Sequence, residues 1–199
     1  MESVSNIAIL RGTVVASPRY SHMGGTDKYV TFPLEIERLS GISDIINVVT
    51  REDTLIAHKN ICEKHLCITG EVRSFNNKAG EGSRLVITVF AKEIDGSDDE
   101  DFNSIVLHGV VCKPPTLRRT PMGRLICDVL LAVNRRYGRS DYLPCIAWGR
   151  VAQELSERCV GDSVCLLGRI QSRHYIKATE DGAEERTAYE ISVISLDEE

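Results

Sequence analysis

The 199-residue sequence is poor in features that would assign a function at once. No apolar run approaches the ~18 residues that span a bilayer, and the opening MESVSNIAIL has no basic leader and only a four-residue apolar run. Neither a membrane span nor a secretory signal is expected. The sequence also has no glycine-rich phosphate loop of Walker type, no His-Glu zinc motif and no nucleophile elbow. The expectation is a protein that is not an enzyme and carries no cofactor. Aromatic residues are scarce, with one tryptophan, six tyrosines and four phenylalanines, so the position of each ring is informative. Seven cysteines, an odd number without an export signal, point to the reducing cytoplasm.

The remainder is ordinary in bulk and uneven in detail. At 42% hydrophobic and 27% charged residues the chain can bury a real core. The net charge of −5 is not spread evenly. Between Lys113 and Arg150 eight basic residues (Lys113, Arg118, Arg119, Arg124, Arg135, Arg136, Arg139 and Arg150) face only Asp128 and Asp141. A basic window in an acidic chain is the electrostatic footprint of a polyanion site, because the local patch dominates within a Debye length of ~8–10 Å.

The chain is internally duplicated. NIAILRGTVVASP at Asn6 recurs as NSIVLHGVVCKPP at Asn103, an offset of 97 residues. The offset carries Leu10 onto Leu107, Gly12 onto Gly109, Leu34 onto Leu131, Arg38 onto Arg135 and Asp44 onto Asp141. One added residue then brings Gly70 onto Gly168. That period is too long for a solenoid, so the reading is two copies of one domain, residues 1–94 and 103–199, joined by an acidic, solvated linker at 95–102.

Within the second copy, period-two alternation marks strands at Ser104–Cys112, Arg124–Asn134, Tyr142–Trp148, Ser163–Tyr175 and Thr187–Leu196, with one helix at Arg150–Arg158. Three strands, a helix and two strands is the element order of an OB-fold, a five-stranded, partly open Greek-key barrel. The fold class expected is therefore all-β, two tandem OB-folds, each with one short helix.

Alternation also assigns faces. Tyr142, Pro144, Ile146 and Trp148 share one side of their strand, and the small apolar Leu143, Cys145 and Ala147 share the other. After the helix, Arg169, Gln171, Arg173 and Tyr175 share a face that two arginines keep out of the core. Rings and guanidinium groups on one sheet face suit a flexible single strand, since each base stacks on a ring for ~1–3 kcal/mol while Arg and Lys neutralise phosphates. In the first copy the corresponding third strand presents Ile45, Asn47, Val49 and Arg51, without a ring, and the second strand presents Glu35 and Glu37. Only Arg73 and Phe75, with Arg51, remain as minor contact candidates there.

TLRRTPMGRLICDVLLAVNRR, DYLPCIAWGR and LLGRIQSRHY, in that order and spacing, closely resemble the bacterial single-stranded DNA-binding proteins. The resemblance covers nearly all of 103–196 and is fainter in the first copy, where NIAILRG and GEVRSF carry it. It implies an OB-fold that binds single-stranded DNA without strong sequence preference in replication, repair and recombination, in the cytoplasm at the nucleoid, with four OB-folds per assembly. Two per chain then imply a homodimer. By position, the stacking aromatics would be Tyr142, Trp148 and Tyr175, with Tyr137 a fourth. Arg118, Arg119, Arg124, Arg135, Arg136, Arg139, Arg150, Arg169 and Arg173 would supply phosphate contacts. The sequence departs from the family in ending at LDEE, without the long tail and acidic tip through which partners are recruited. The alternative from another class is an OB-fold scaffold for protein interaction, a primosome-like accessory protein that binds nucleic acid weakly.

His58, Cys62, His65 and Cys67 have the chemistry of zinc ligands. Cys62 and Cys67 align with Cys159 and Cys165, however, while the second copy lacks both histidines. The reading is small buried apolar residues and no metal.

Overall fold

The computed structural model describes residues 6–56, 58, 60–77, 85–135, 138–179 and 182–197. The first repeat consists of β1 (Asn6–Val14), β2 (Arg19–Gly24), β3 (Asp27–Glu37), β4 (Ser43–Arg51), the one-turn helix α1 (Glu52–Leu55), β5 (His65–Asn76) and β6 (Leu85–Gly96). The second consists of β7 (Phe102–Val111), β8 (Thr116–Arg119), β9 (Leu125–Asn134), β10 (Ser140–Trp148), α2 (Gly149–Ser156), β11 (Ser163–Thr179) and β12 (Gly182–Asp197). By contacts the chain forms two compact units, one of Ile7–Arg73 with Thr88–Ser104, the other built on Ile105–Glu199 with Ser74–Ile87.

Each repeat closes a barrel in the same strand order. In the second, β7 meets β9, β9 pairs antiparallel with β10, β10 runs parallel to β12, and β12 pairs with β11, which returns to β7. In the first, β1 meets β3, followed by β4, β6 and β5, again with one parallel pair, β4 with β6. Antiparallel pairs joined by one parallel pair, where the third long strand meets the fifth, are the Greek-key closure of an OB-fold. The all-β expectation of two such barrels is met.

The core follows from alternation. Leu131 and Val133 of β9, Leu143, Cys145 and Ala147 of β10, and Leu166 and Ile170 of β11 are buried, and Ala152 and Leu155 of α2 pack beneath them. Phe32, Leu34 and Ile36 of β3 and Ile46 and Val48 of β4 do the same in the first barrel. The duplicated glycines have a steric reason. A Cβ on Gly12 would lie 2.1 Å from the Glu35 carbonyl oxygen, and one on Gly109 would lie 3.0 Å from that of Ala132, the residue 97 positions on from Glu35. Both glycines stand beside the closing pairs, Thr13 with Glu35 and Val110 with Ala132, where the backbone leaves no room for a side chain at Gly12 and only a tight fit at Gly109.

Three details differ from the sequence reading. β8 was not expected, because TLRR is four exposed residues with no alternation. The β11–β12 hairpin is longer than its apolar pattern, since an antiparallel ladder continues through polar residues that no core selects. The acidic linker is also tied down at several points. Its first residues end β6, Asp99 pairs with Arg11 at 2.7 Å, and Asp101 accepts hydrogen bonds from the Glu37 backbone N–H at 2.6 Å and the His65 ring at 2.8 Å.

Candidate nucleic-acid interface

The outward face of β10 carries the two rings that alternation placed there. Trp148 is 42% exposed and Tyr142 is 52% exposed, while Leu143, Cys145 and Ala147 point into the core. Ile146 departs from the reading: it is outward by alternation yet buried. Its place explains this, because it lies mid-sheet in one row with Asp128 of β9 and Ser192 of β12, flanked by paired strands on both sides.

The adjacent row is Arg118 of β8, Ile126 of β9 and Trp148 of β10. Ile126 is buried, so an exposed guanidinium and an exposed indole flank an apolar floor. The Arg118 Nε and Nη2 hold the Asp128 carboxylate at 2.7 and 3.3 Å, and that hydrogen bond raises the arginine's pKa further. The pair is exposed, and such pairs contribute little to stability. In the β8–β9 turn the Arg119 Nη1 reaches the Gly123 carbonyl at 3.3 Å, and Arg124 is exposed.

Trp148 ends its strand because of the residue that follows. Gly149 has φ +61°, a left-handed turn from extended Trp148 into α2. An alanine there would meet no neighbouring atom within 4 Å, so its penalty is backbone strain. Gly149→Ala should lower stability by about 1–2 kcal/mol, read from the urea midpoint. An unchanged midpoint would mean that the turn relaxes freely. On α2, Arg150 is exposed and pairs with Glu154 at 3.0 Å, one helical turn on.

The β11–β12 hairpin contributes the second group. Arg173 is exposed, with its guanidinium carbon 6.0 Å from the centroid of the half-buried Tyr175 ring. Arg169 is half-buried, and its Nε has no hydrogen-bond partner among the described residues, an unusual state for a buried donor. Across the hairpin Arg186 lies in register with Tyr175. Sequence reasoning missed Arg186. Its signal was the hairpin register, which needs the position of the turn.

Arg135 has a different role from the other basic residues. Its Nε donates to Asp141 Oδ2 at 2.6 Å and its Nη2 to Asp141 Oδ1 and, at 3.1 Å, to the Ser74 carbonyl. Asp141 is fully buried and also accepts the Ser74 backbone N–H, while Ser74 Oγ accepts the Tyr142 N–H at 2.8 Å. The guanidinium assigned to phosphate from the sequence is thus engaged by a buried carboxylate. Arg38 and Asp44 make the same fork in the first repeat, at 2.6 and 2.5 Å. Arg139 is exposed, and Arg136 and Tyr137 lie outside the described residues.

In the first repeat the expected minor contacts divide. Arg73 pairs with Glu71, which also holds Lys92, and Arg51 pairs with Asp27 at 2.9 Å and Asp53 at 3.8 Å. Phe75 is exposed. His58 turns its ring to the Ile94 carbonyl and His65 to Asp101 and the Ser97 carbonyl. Among the described residues no cluster of His, Cys, Asp or Glu is disposed to hold a metal. In the second repeat, burial pushes the Cys145 thiol far up and the Cys127 and Cys112 thiols up. No described helix is long and apolar enough to cross a membrane.

Residues 102–197 match the model of the single-strand binding protein family. The chain is similar to single-stranded DNA-binding protein B of Bacillus subtilis, 37% identical over 81 residues, which span 37% of this chain and 72% of that protein. The single-stranded DNA-binding protein of Oceanobacillus iheyensis is 31% identical over 100 residues, covering 47% of this chain and 59% of its own length. The crystal structure of wild-type single-stranded DNA binding protein from Thermus aquaticus superposes with a TM-score of 0.76 at 21% identity, over 96% of this chain and 91% of that one. At that identity the likeness concerns the fold.

Proposed function

Since the chain belongs to the single-strand binding protein family, we propose that it binds single-stranded DNA with little sequence preference, as a non-catalytic protein of DNA replication, repair and recombination. The observation that carries this reading is the face of the second barrel, where exposed Trp148 and Tyr142 stand outward over a sealed core with Arg118 in the Trp148 row. Bases stack on Trp148, Tyr142 and Tyr175. Arg118, Arg119, Arg124, Arg136, Arg139, Arg150, Arg169, Arg173 and Arg186 contact the phosphates, and Tyr137 is a fourth stacking ring. Arg135 is left out, being held by Asp141.

Residues 103–199 are the main binding domain, and residues 1–94 chiefly support architecture and dimerisation, because Arg51 stands at the place of Trp148 and the second long strand presents Glu35 and Glu37. A homodimer then brings four barrels together in the cytoplasm at the nucleoid. The test is a fluorescence titration with oligo-dT at two salt concentrations. Trp148 emission should be quenched, and log K should fall with log salt at about −0.7 per phosphate neutralised. Binding that leaves the emission unchanged would move Trp148 off the strand's path.

A further inference from the structure

The repeats also differ at the two ends of their third long strand. Before it, the β3–β4 turn of the first repeat reads RLSGI from Arg38, and the 97-residue offset sets Leu39 onto Arg136, Ile42 onto Arg139 and Ile45 onto Tyr142. Two arginines and a tyrosine of the basic window are thus aliphatic here. Leu39 is fully exposed, and Ile42 and Ile45 are exposed as well. The turn that carries them is firmly held. The Arg38 N–H donates to the Ile42 carbonyl and the Gly41 N–H to the Arg38 carbonyl, both at 2.8 Å, while Gly41 takes φ +78° and the Arg38 fork grips buried Asp44. A tip already ordered loses little freedom on contact. Leu39, Ile42 and Ile45 offer neither a cation for phosphate nor a ring for a base, so the surface that covers them is apolar.

The other end of the same strand provides such a surface. In the second barrel α2 closes the end with Ala152 and Leu155, both buried, whereas the four-residue α1 of the first buries nothing. The offset sets Leu55 onto Ala152 and His58 onto Leu155. His58 does not plug the barrel as Leu155 does, because its Nε2 is turned to the Ile94 carbonyl at 2.9 Å. The first barrel keeps a cavity of about 490 Å³ there, lined by Pro18, Val30, Leu55, Ile56 and Ile61 with Glu52 and His58. β4 has nine residues and runs from the turn to α1, so at ~3.3 Å per residue it sets tip and cavity about 30 Å apart. The tip of a barrel therefore cannot fill its own cavity.

We propose that the Leu39–Ile42 tip of one copy seats in the first-barrel cavity of a second copy, a head-to-tail contact that links copies of this chain without nucleic acid. Both surfaces are apolar, and both belong to the first repeat alone. A contact between unlike surfaces leaves a tip free at one end and a cavity free at the other, so it propagates into an open chain or closes into a ring. It goes beyond single-strand binding, and it differs from a two-fold homodimer, in which one patch meets its own copy. A few side chains bury far less than the ~1,200 Å² of a stable interface. The contact is accordingly weak and shows at high concentration.

The test is sedimentation equilibrium of the full chain without nucleic acid, up to roughly 1 mM protein. The weight-average mass should keep rising past that of a dimer, at about 1 M salt no less than at about 0.1 M, because no charge pair is involved. Leu39→Asp spoils the tip, and Ile56→Asp, at an exposed residue of the cavity wall, puts a charge in the seat. Each variant alone should lose the rise while keeping the parent's melting temperature, since neither side chain belongs to the core. Mixed in equal amounts the two should associate again, because the first keeps an intact cavity and the second an intact tip. A parent mass that levels at the dimer overturns the proposal. So does a rise retained by either variant, or a mixture no heavier than its components, since tip and cavity would then not be each other's partners.

Discussion

Replacing Trp148 and Tyr175 together by alanine should weaken oligo-dT binding by roughly a hundredfold or more. Each base stacked on a ring contributes about 1–3 kcal/mol, and each 1.4 kcal/mol is a factor of about ten. Both rings sit where truncation removes surface rather than core: Trp148 is 42% exposed above Ile126, and Tyr175 is half-buried beside Arg173. The variant lacks its own fluorophore, so anisotropy of a labelled oligonucleotide reads the affinity. The salt slope should be unchanged, since no cation is removed. Trp148→Phe separates stacking from packing, because a smaller ring still offers a π-face and should keep most of the affinity. If the double alanine variant binds within a factor of two of the parent, the stacking model fails.

Alternation made this face legible without coordinates. LPCIAW has small apolar residues on one side, and that was enough to place Tyr142 and Trp148 outward. It could not show that Ile146 is covered, because coverage depends on β12 lying alongside β10, a pairing between residues more than forty positions apart. The duplication was readable to the residue, and it explained the paired glycines, whose hydrogen-only side chains let the barrels close. β8 escaped because a four-residue exposed strand has no hydrophobic period. Charge was the least legible quantity. A list of arginines does not say which ones already have partners, so Arg135 joined Arg118 and Arg124 in one basic window. The signal that sets Arg135 apart was nevertheless present, since the 97-residue offset maps both Arg38 and Asp44 onto a matching pair while the ring of Trp148 maps onto Arg51.

That pair carries the second large effect. Arg135→Met should destabilise the protein by about 3–5 kcal/mol, the typical cost of leaving a buried carboxylate without its cation. Asp141 is fully buried, so it cannot recover hydration without opening the barrel. The Ser74 N–H that Asp141 also accepts offsets part of the loss and places the expected value toward the lower end. For a chain of this size the melting temperature should fall by roughly 6–20 °C. Asp141→Asn should cost less, because an amide at the same place is neutral and can still accept from Ser74. Arg38→Met should show a loss of the same order through Asp44, which is also buried. The binding measurement is the sharper one. At a temperature where the Arg135→Met variant is fully folded, its affinity for oligo-dT and its salt slope should match the parent. A slope reduced by about 0.7 would instead return Arg135 to the phosphate path. Arg118→Met is the comparison, expected to be nearly neutral for stability and to lower the slope, because its ion pair with Asp128 is exposed on both sides.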